Sequence, residues 1–289
     1  MSSLLALSAA ALWGSGGFLG GAASRKSGAI RVVFLTFFVQ LVIALGMAAI
    51  ARPVLHAQAL AWGGTAGLVE VVGFLSVYRA FSAGRMGVVA ATSWVVAGCV
   101  PVVFDLVGGT TLSVASWTGV VCAIVAVILV SLRPEEISAD LNETSTRNRE
   151  SKGKTALLFA LFSGLCFGCQ FIFFAQIRSD SVIWGLLAMR VVSIAGAGTV
   201  WAASGARSGE RAKVSYLAVI TSAALFVAGD VMFIIATHSG SLALVTAVAT
   251  LGPAFTAILA RLFLNEYLLT RQRIGIAIAI GGVALISVK

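Results

Sequence analysis

Between residues 133 and 154 the chain reads RPEEISADLNETSTRNRESKGK, Arg133 to Lys154, a long polar stretch inside an otherwise apolar sequence. A segment this charged is not inserted into hydrocarbon, where one central Arg, Lys or Asp costs about 2.5–3.5 kcal/mol. It therefore divides the chain, and the runs on either side decide the fold. Within it, Asn142-Glu143-Thr144 has the form of a glycosylation sequon, which we read as a chance match in a linker.

On each side lie five apolar runs near the roughly 20 residues that a helix needs to cross a bilayer. Upstream they are Leu4–Ala23, Ile30–Ala51, Ala59–Ser82, Met86–Val107 and Ser113–Leu132. Downstream they are Thr155–Ile177, Val182–Ser204, Val214–Thr237, Ser241–Leu264 and Thr270–Val288. The predicted fold class is thus an all-α integral membrane protein with ten transmembrane helices. Its parts are a first five-helix unit over 1–132, a cytoplasmic connector over 133–154 and a second unit over 155–289. The N-terminus MSSLLALSAAALWG lacks the positive region of a secretory signal and reads as the first span.

Composition agrees. Of 289 residues, 59% are apolar and 11% charged, with mean hydropathy +1.02, whereas soluble domains carry about a quarter charged residues. A net charge of +9 raises the question of nucleic acid, but the basic residues are scattered between apolar runs, with no basic stripe or nucleic-acid motif. Cys99, Cys122, Cys166 and Cys169 all lie in apolar runs, where a thiol acts as a small hydrophobe. Cys166 and Cys169 make a C-x-x-C, yet no second pair or neighbouring His completes a zinc site, so no metal or cofactor is expected.

The two halves resemble each other. LWGSGGF (Leu12–Phe18) lies over CFGCQFI (Cys166–Ile172) at an offset of 154, which settles later at 156. Gly84 then meets Gly240, Gly119 meets Gly275, and VAVILVS (Val125–Ser131) meets GGVALIS (Gly281–Ser287). Five spans per unit make the second unit cross in the opposite sense, giving an inverted repeat. Lys and Arg set the orientation. Counting residues at the ends of spans with the loops they adjoin, fourteen fall after odd-numbered spans against three on the other side, and Arg79, Arg190 and Arg261 lie deeper within spans. Both termini are expected outside.

Charges inside spans are functional candidates by default. Glu70, in GLVEVVGF (Gly67–Phe74), sits midway along the third span, and Asp230 lies in the eighth. In the repeat alignment Glu70 matches Phe226 and Asp230 matches Phe74, so each acid is four residues from its counterpart's position and on the same helical face. Arg190, midway along the seventh span, is the compensating cation. The expected site is a polar midplane site of Glu70, Asp230 and Arg190, lined by Trp13, Ser15, Tyr78, Trp94 and Gln170. The plainer reading makes Arg190 a structural tie and the rest packing. Gly16/Gly20, Gly63/Gly67 and Gly164/Gly168 are pairs four apart that let helices approach closely, and Pro101 and Pro253 are candidate kinks.

The stretches ALWGSGGFLGGAASRK (Ala11–Lys26), YRAFSAGRMGVV (Tyr78–Val89), ATHSGSLALVTAVATLGPAFTAILARLFLNE (Ala236–Glu266) and RQRIGIAIAIGGVALIS (Arg271–Ser287) resemble the ten-helix EamA-type carriers of the drug/metabolite transporter superfamily. Glu266 matches an acidic residue common at the end of the ninth span, whereas Thr110 stands at the first-half counterpart. Ala91 or a neighbour replaces a proline frequent early in the fourth span, and Asp230 stands where relatives carry an uncharged amide. The resemblance implies a carrier and leaves the cargo open.

The expected function is secondary transport of a small organic solute by alternating access, probed first at Glu70 as a proton-exchanging or cation-binding carboxylate. There is no Walker motif, so energy comes from gradients. Export is implied by the resemblance, with proton antiport and facilitated diffusion both open. The alternatives are an uptake carrier, for a small metabolite or sugar, and an intramembrane serine hydrolase built on Ser15 and His238. The expected partners are the solute and the lipid bilayer, with no nucleic acid, and a monomer contains the whole pathway.

Overall fold

The computed structural model describes residues 2–51, 55–84, 86–107, 143–203, 214–239 and 242–264, with isolated positions in 114–125 and 270–281. Every regular element among them is helical. In chain order these are α1 (Ser2–Ser27), α2 (Ala29–Ala51), α3 (Ala57–Ala83), α4 (Met86–Val107), α5 (Glu143–Ala175), α6 (Val182–Ala203), α7 (Tyr216–Ser239), α8 (Leu242–Ala249) and α9 (Gly252–Leu264). A 3-10 turn, Ser179–Ser181, joins α5 to α6. Six segments are long and apolar enough to cross a membrane, and Val88–Phe104 in α4 is a shorter apolar helix. The expected fifth and tenth spans lie outside the described residues, apart from the isolated positions.

Helix boundaries follow local chemistry. Gly28 adopts φ 83°, in the left-handed region where a side chain would strain. Its N–H donates to the Ser24 carbonyl at 3.0 Å, ending α1, while Arg25 and Lys26 complement the negative end of the helix dipole. At the other extreme, α5 starts at Glu143, twelve residues before the span expected from Thr155. Hydropathy marks where a chain enters hydrocarbon, not where it becomes helical, and the Glu-, Arg- and Lys-bearing connector is helix-competent. The expected ninth span is two helices. Thr250 and Leu251 form a turn, and Leu251 N–H reaches the Val248 carbonyl at 3.1 Å. Pro253, second residue of α9, has no N–H to continue the ladder, so the break falls immediately before it. Pro101 lies inside the continuous helix α4.

The helices are apolar all round, so burial rather than amphipathicity distinguishes their faces. On α2, Val33, Thr36, Phe37, Gln40 and Ala44 are buried, whereas Phe38, Val42 and Leu45 are each about half exposed. Such an outward apolar stripe suits lipid. Inside, α1 packs on α7 and α9, α3 on α5 and α6, α4 on α5, and α2 on α6 and α7. The closest approaches use glycine. A Cβ on Gly63 would collide with the Gly185 backbone, and one on Gly67 would lie 2.5 Å from the Met189 carbonyl oxygen. Gly164 and Gly168 seat α5 against Ser93, Val96, Ala97 and Val100 of α4 in the same way, and Ser93 Oγ and Ser163 Oγ bond at 2.8 Å across that contact. Gly16 faces Ser222 and Phe226, and Gly20 faces the Tyr78 hydroxyl.

Candidate functional site

The buried stripe of α3 runs Gly63, Ala66, Gly67, Glu70, Phe74, Val77, Tyr78 and Phe81, at three- and four-residue steps. Because Gly67 lacks a side chain, the α6 backbone approaches close enough for Met189, Arg190 and Ser193 to face that stripe. From the opposite side, α7 presents Asp230. All three charged groups are removed from solvent, with Arg190 0%, Glu70 2% and Asp230 4% exposed.

The guanidinium of Arg190 is shared. Its Nη1 donates to Glu70 Oε1 and its Nη2 to Asp230 Oδ2. The remaining oxygens are also engaged. Ser193 Oγ donates to Glu70 Oε2 at 2.5 Å, and the indole Nε1 of Trp13 donates to Asp230 Oδ1 at 3.0 Å. A planar fork suits this task, since two Nη groups held in one plane can address carboxylates on two different helices. Each carboxylate oxygen therefore has a donor, which offsets the desolvation that otherwise makes a buried charge costly. With every group ionised, two carboxylates and one guanidinium leave a formal charge of one negative unit.

Glu70 and Asp230 form part of the wall of a cavity within the helix bundle. Trp13, Tyr78, Trp94 and Gln170 line it too, together with Phe74, Phe167 and Phe226. The indole of Trp13 stacks on Phe171, with ring centroids 5.7 Å apart, and tilts against Trp94 at the same separation. The amide Nε2 of Gln170 donates to Met189 Sδ at 3.6 Å. Phe74 and Phe226, which align with Asp230 and Glu70, meet edge to face at 4.9 Å. The acids of the two halves thus share one cation while the phenylalanines at the aligned positions pack on each other.

Of the residues singled out in the sequence, Ser15 is not part of this wall. Nor is it beside His238. The neighbouring Gly16 packs on Phe226, and His238 lies twelve residues farther along α7, roughly 18 Å by helical rise. The His238 ring Nε2 is instead 2.7 Å from the Ile177 carbonyl oxygen. That arrangement removes the geometric basis for a Ser15–His238 dyad. Cys166 and Cys169 are free thiols, and among the described residues no three His, Cys, Asp or Glu side chains cluster as metal ligands. Thr110, Glu266 and Arg271 lie outside the described residues. Ser193 was missed in the sequence, although its position one turn beyond Arg190 was visible. Gly17, beside Gly16 on α1, also borders the cavity, and nothing in the sequence marks it out.

A likeness to known proteins adds to this geometry. Residues 154–288 match the EamA-like transporter family. An uncharacterised protein of Methanocaldococcus jannaschii is 39% identical over 70 residues, 24% of this chain and 51% of that protein, so the match spans about half the length of this curated relative. The crystal structure of another protein superposes with TM-score 0.66 at 14% identity, covering 99% of this chain and 97% of that one. At that identity the likeness is one of fold, along the whole chain. With six apolar helices long enough to span a bilayer among the described residues, the chain is a multi-pass membrane protein whose residues 154–288 are similar to the EamA-like transporter family.

Proposed function

We propose that the protein is a secondary carrier that exports a small organic solute through the central cavity by alternating access. The observation that carries this reading is the buried Glu70–Arg190–Asp230 cluster on the wall of an aromatic cavity inside a membrane bundle. A purely structural tie has no need to border empty space, whereas a transport site does.

The full architecture in this reading has ten spans, as inverted units over 1–132 and 155–289 joined by 133–154. The helix contacts support it. Exchanging α1 with α5, α2 with α6, α3 with α7, and α4 with the α8–α9 pair turns the α1–α7 contact into α5–α3, and α4–α5 into α1 with α8 and α9. In this reading the protein is a monomer in the cell membrane, with both termini outside. Lys152 is then unreactive toward an impermeant amine reagent applied to sealed cells and becomes reactive after permeabilisation. Labelling of Lys152 from outside overturns the orientation.

Proton coupling is part of this reading, supported by two carboxylates held against a single guanidinium; among the described residues Arg190 and Ser193 of α6 and Trp13 of α1 are within hydrogen-bonding reach of them. Solute counterflow in proteoliposomes tests the site. Glu70→Gln should slow it at least about tenfold, consistent with weakening charged hydrogen bonds worth roughly 1.5–3 kcal/mol, and should flatten its dependence on pH. Unchanged counterflow in the variant overturns the assignment of Glu70. Accumulation against the gradient in intact cells, instead of depletion, makes the protein an uptake carrier.

A further inference from the structure

Within the run GSGGFLGG (Gly14–Gly21) most glycines are close-contact positions. A Cβ on Gly14 would strike the Gly252 carbonyl, one on Gly20 the Tyr78 hydroxyl, and one on Gly21 the rings and methyl of Phe81 and Met86. Gly16 is bounded by Ser222 and Phe226. Gly17 differs. A Cβ there meets no atom of the described residues within 4 Å, and Gly17 lies on the cavity wall. Helix packing does not account for a glycine in open space, and glycine weakens a helix interior by roughly 0.5–1 kcal/mol relative to alanine. The space it leaves is continuous with the cavity.

The chemistry of the wall says what would fill that space. Among the described residues lining the cavity, two are acids and none is basic, because Arg190 is wholly buried behind Glu70 and Asp230 with both Nη groups occupied. Nine aromatic side chains make up most of the rest of the lining, with Gln170, Val77 and Gly17. An aromatic face attracts a cation through its quadrupole, more strongly when both are desolvated. A net negative charge at one end with ring faces around it discriminates against anions and offers a neutral solute no charge complement.

We propose that the cargo is an organic monocation carrying an aromatic ring, and that Gly17 sets the size of ring the cavity admits. This deepens the carrier reading and rests on it. The cationic centre sits by Glu70 and Asp230, and the ring lies among the aromatic faces, against the open side of Gly17. A larger side chain at 17 enters the cavity without touching the helix contacts beside it.

The test uses the full-length purified protein and two probes of nearly the same shape, phenyltrimethylammonium and its uncharged carbon counterpart tert-butylbenzene, with tetramethylammonium as the ringless cation. Binding is read by calorimetry and by the fluorescence of the cavity tryptophans. The phenyl cation should bind saturably and at least tenfold more tightly than tert-butylbenzene. Gly17→Leu should weaken the phenyl cation at least tenfold, spare tetramethylammonium, and leave the melting midpoint of the ligand-free protein at or above that of the wild type, with Gly17→Ala intermediate in its effect on the phenyl cation. Equal affinity for the charged and uncharged probes overturns the cation assignment. Undiminished binding of the phenyl cation to both Gly17 variants overturns the role of Gly17. Counterflow of other solutes without cation binding sinks the cargo class and leaves the carrier standing, whereas cation binding without any counterflow does the reverse.

Discussion

Replacing Arg190 with glutamine is expected to unfold or strand most of the protein at growth temperature. The substitution breaks two buried ion pairs at once and leaves Glu70 and Asp230 facing each other without a cation. Breaking one such pair typically costs 3–5 kcal/mol, mainly through the uncompensated charge left behind. Purified Arg190→Gln should therefore melt about 10 °C or more below the wild type and show no counterflow. Arg190→Lys should be intermediate in stability, because a single ammonium cannot hold two carboxylates with a planar fork. The triple variant Glu70→Gln, Arg190→Gln, Asp230→Asn should recover much of the melting midpoint, since the buried charges are then gone, but none of the transport. A wild-type midpoint in Arg190→Gln would show that the cluster does not hold the bundle together.

The second large effect belongs to Gly67, which has no charge at all. Its missing Cβ would lie 2.5 Å from the Met189 carbonyl oxygen and 3.0 Å from the Val192 Cβ, and backbone atoms cannot step aside as a flexible side chain can. Overfilling a packed interior costs typically 1–3 kcal/mol, so Gly67→Ala should lose about that much and Gly67→Val more. The displacement also falls on the cluster, because Ser193 Oγ lies 3.3 Å from the Gly67 carbonyl oxygen and 2.5 Å from Glu70 Oε2. Gly64 is the control. Its nearest neighbour would be the Val192 Cγ2 at 3.8 Å, ordinary contact, so Gly64→Ala should melt and transport like the wild type. Equal tolerance at 64 and 67, measured by melting and counterflow, would refute the close approach of α3 and α6.

The parts of this structure that were legible in the sequence are those in which an individual residue is expensive where it stands. Glu70, Asp230 and Arg190 are conspicuous because hydrocarbon penalises each of them, and the four-residue offset between repeats already put both acids on one face. Apolar run lengths likewise located α1 to α4, α6 and α7 to within a few residues. Ser193 escaped notice because a serine in a membrane helix is cheap, and only the neighbouring helix gives its hydroxyl a carboxylate to meet. Gly17 and Gly16 are identical letters side by side; what separates them is whether another helix stands opposite. The early start of α5 was hidden because polarity and helicity are independent properties. Ser15 was overvalued for the opposite reason, since its position in the glycine run said nothing about the direction in which α1 turns it.

The charge cluster has an odd number of members, one acid before the connector and a cation with a second acid after it. Two identical copies of either half, related by a twofold axis, produce every group in pairs and never two acids around a single guanidinium. The cluster therefore needs two unlike halves, each supplying what the other lacks. Placing Glu at 226 or Phe at 70 would make these two aligned positions alike and remove the asymmetry on which the cluster depends.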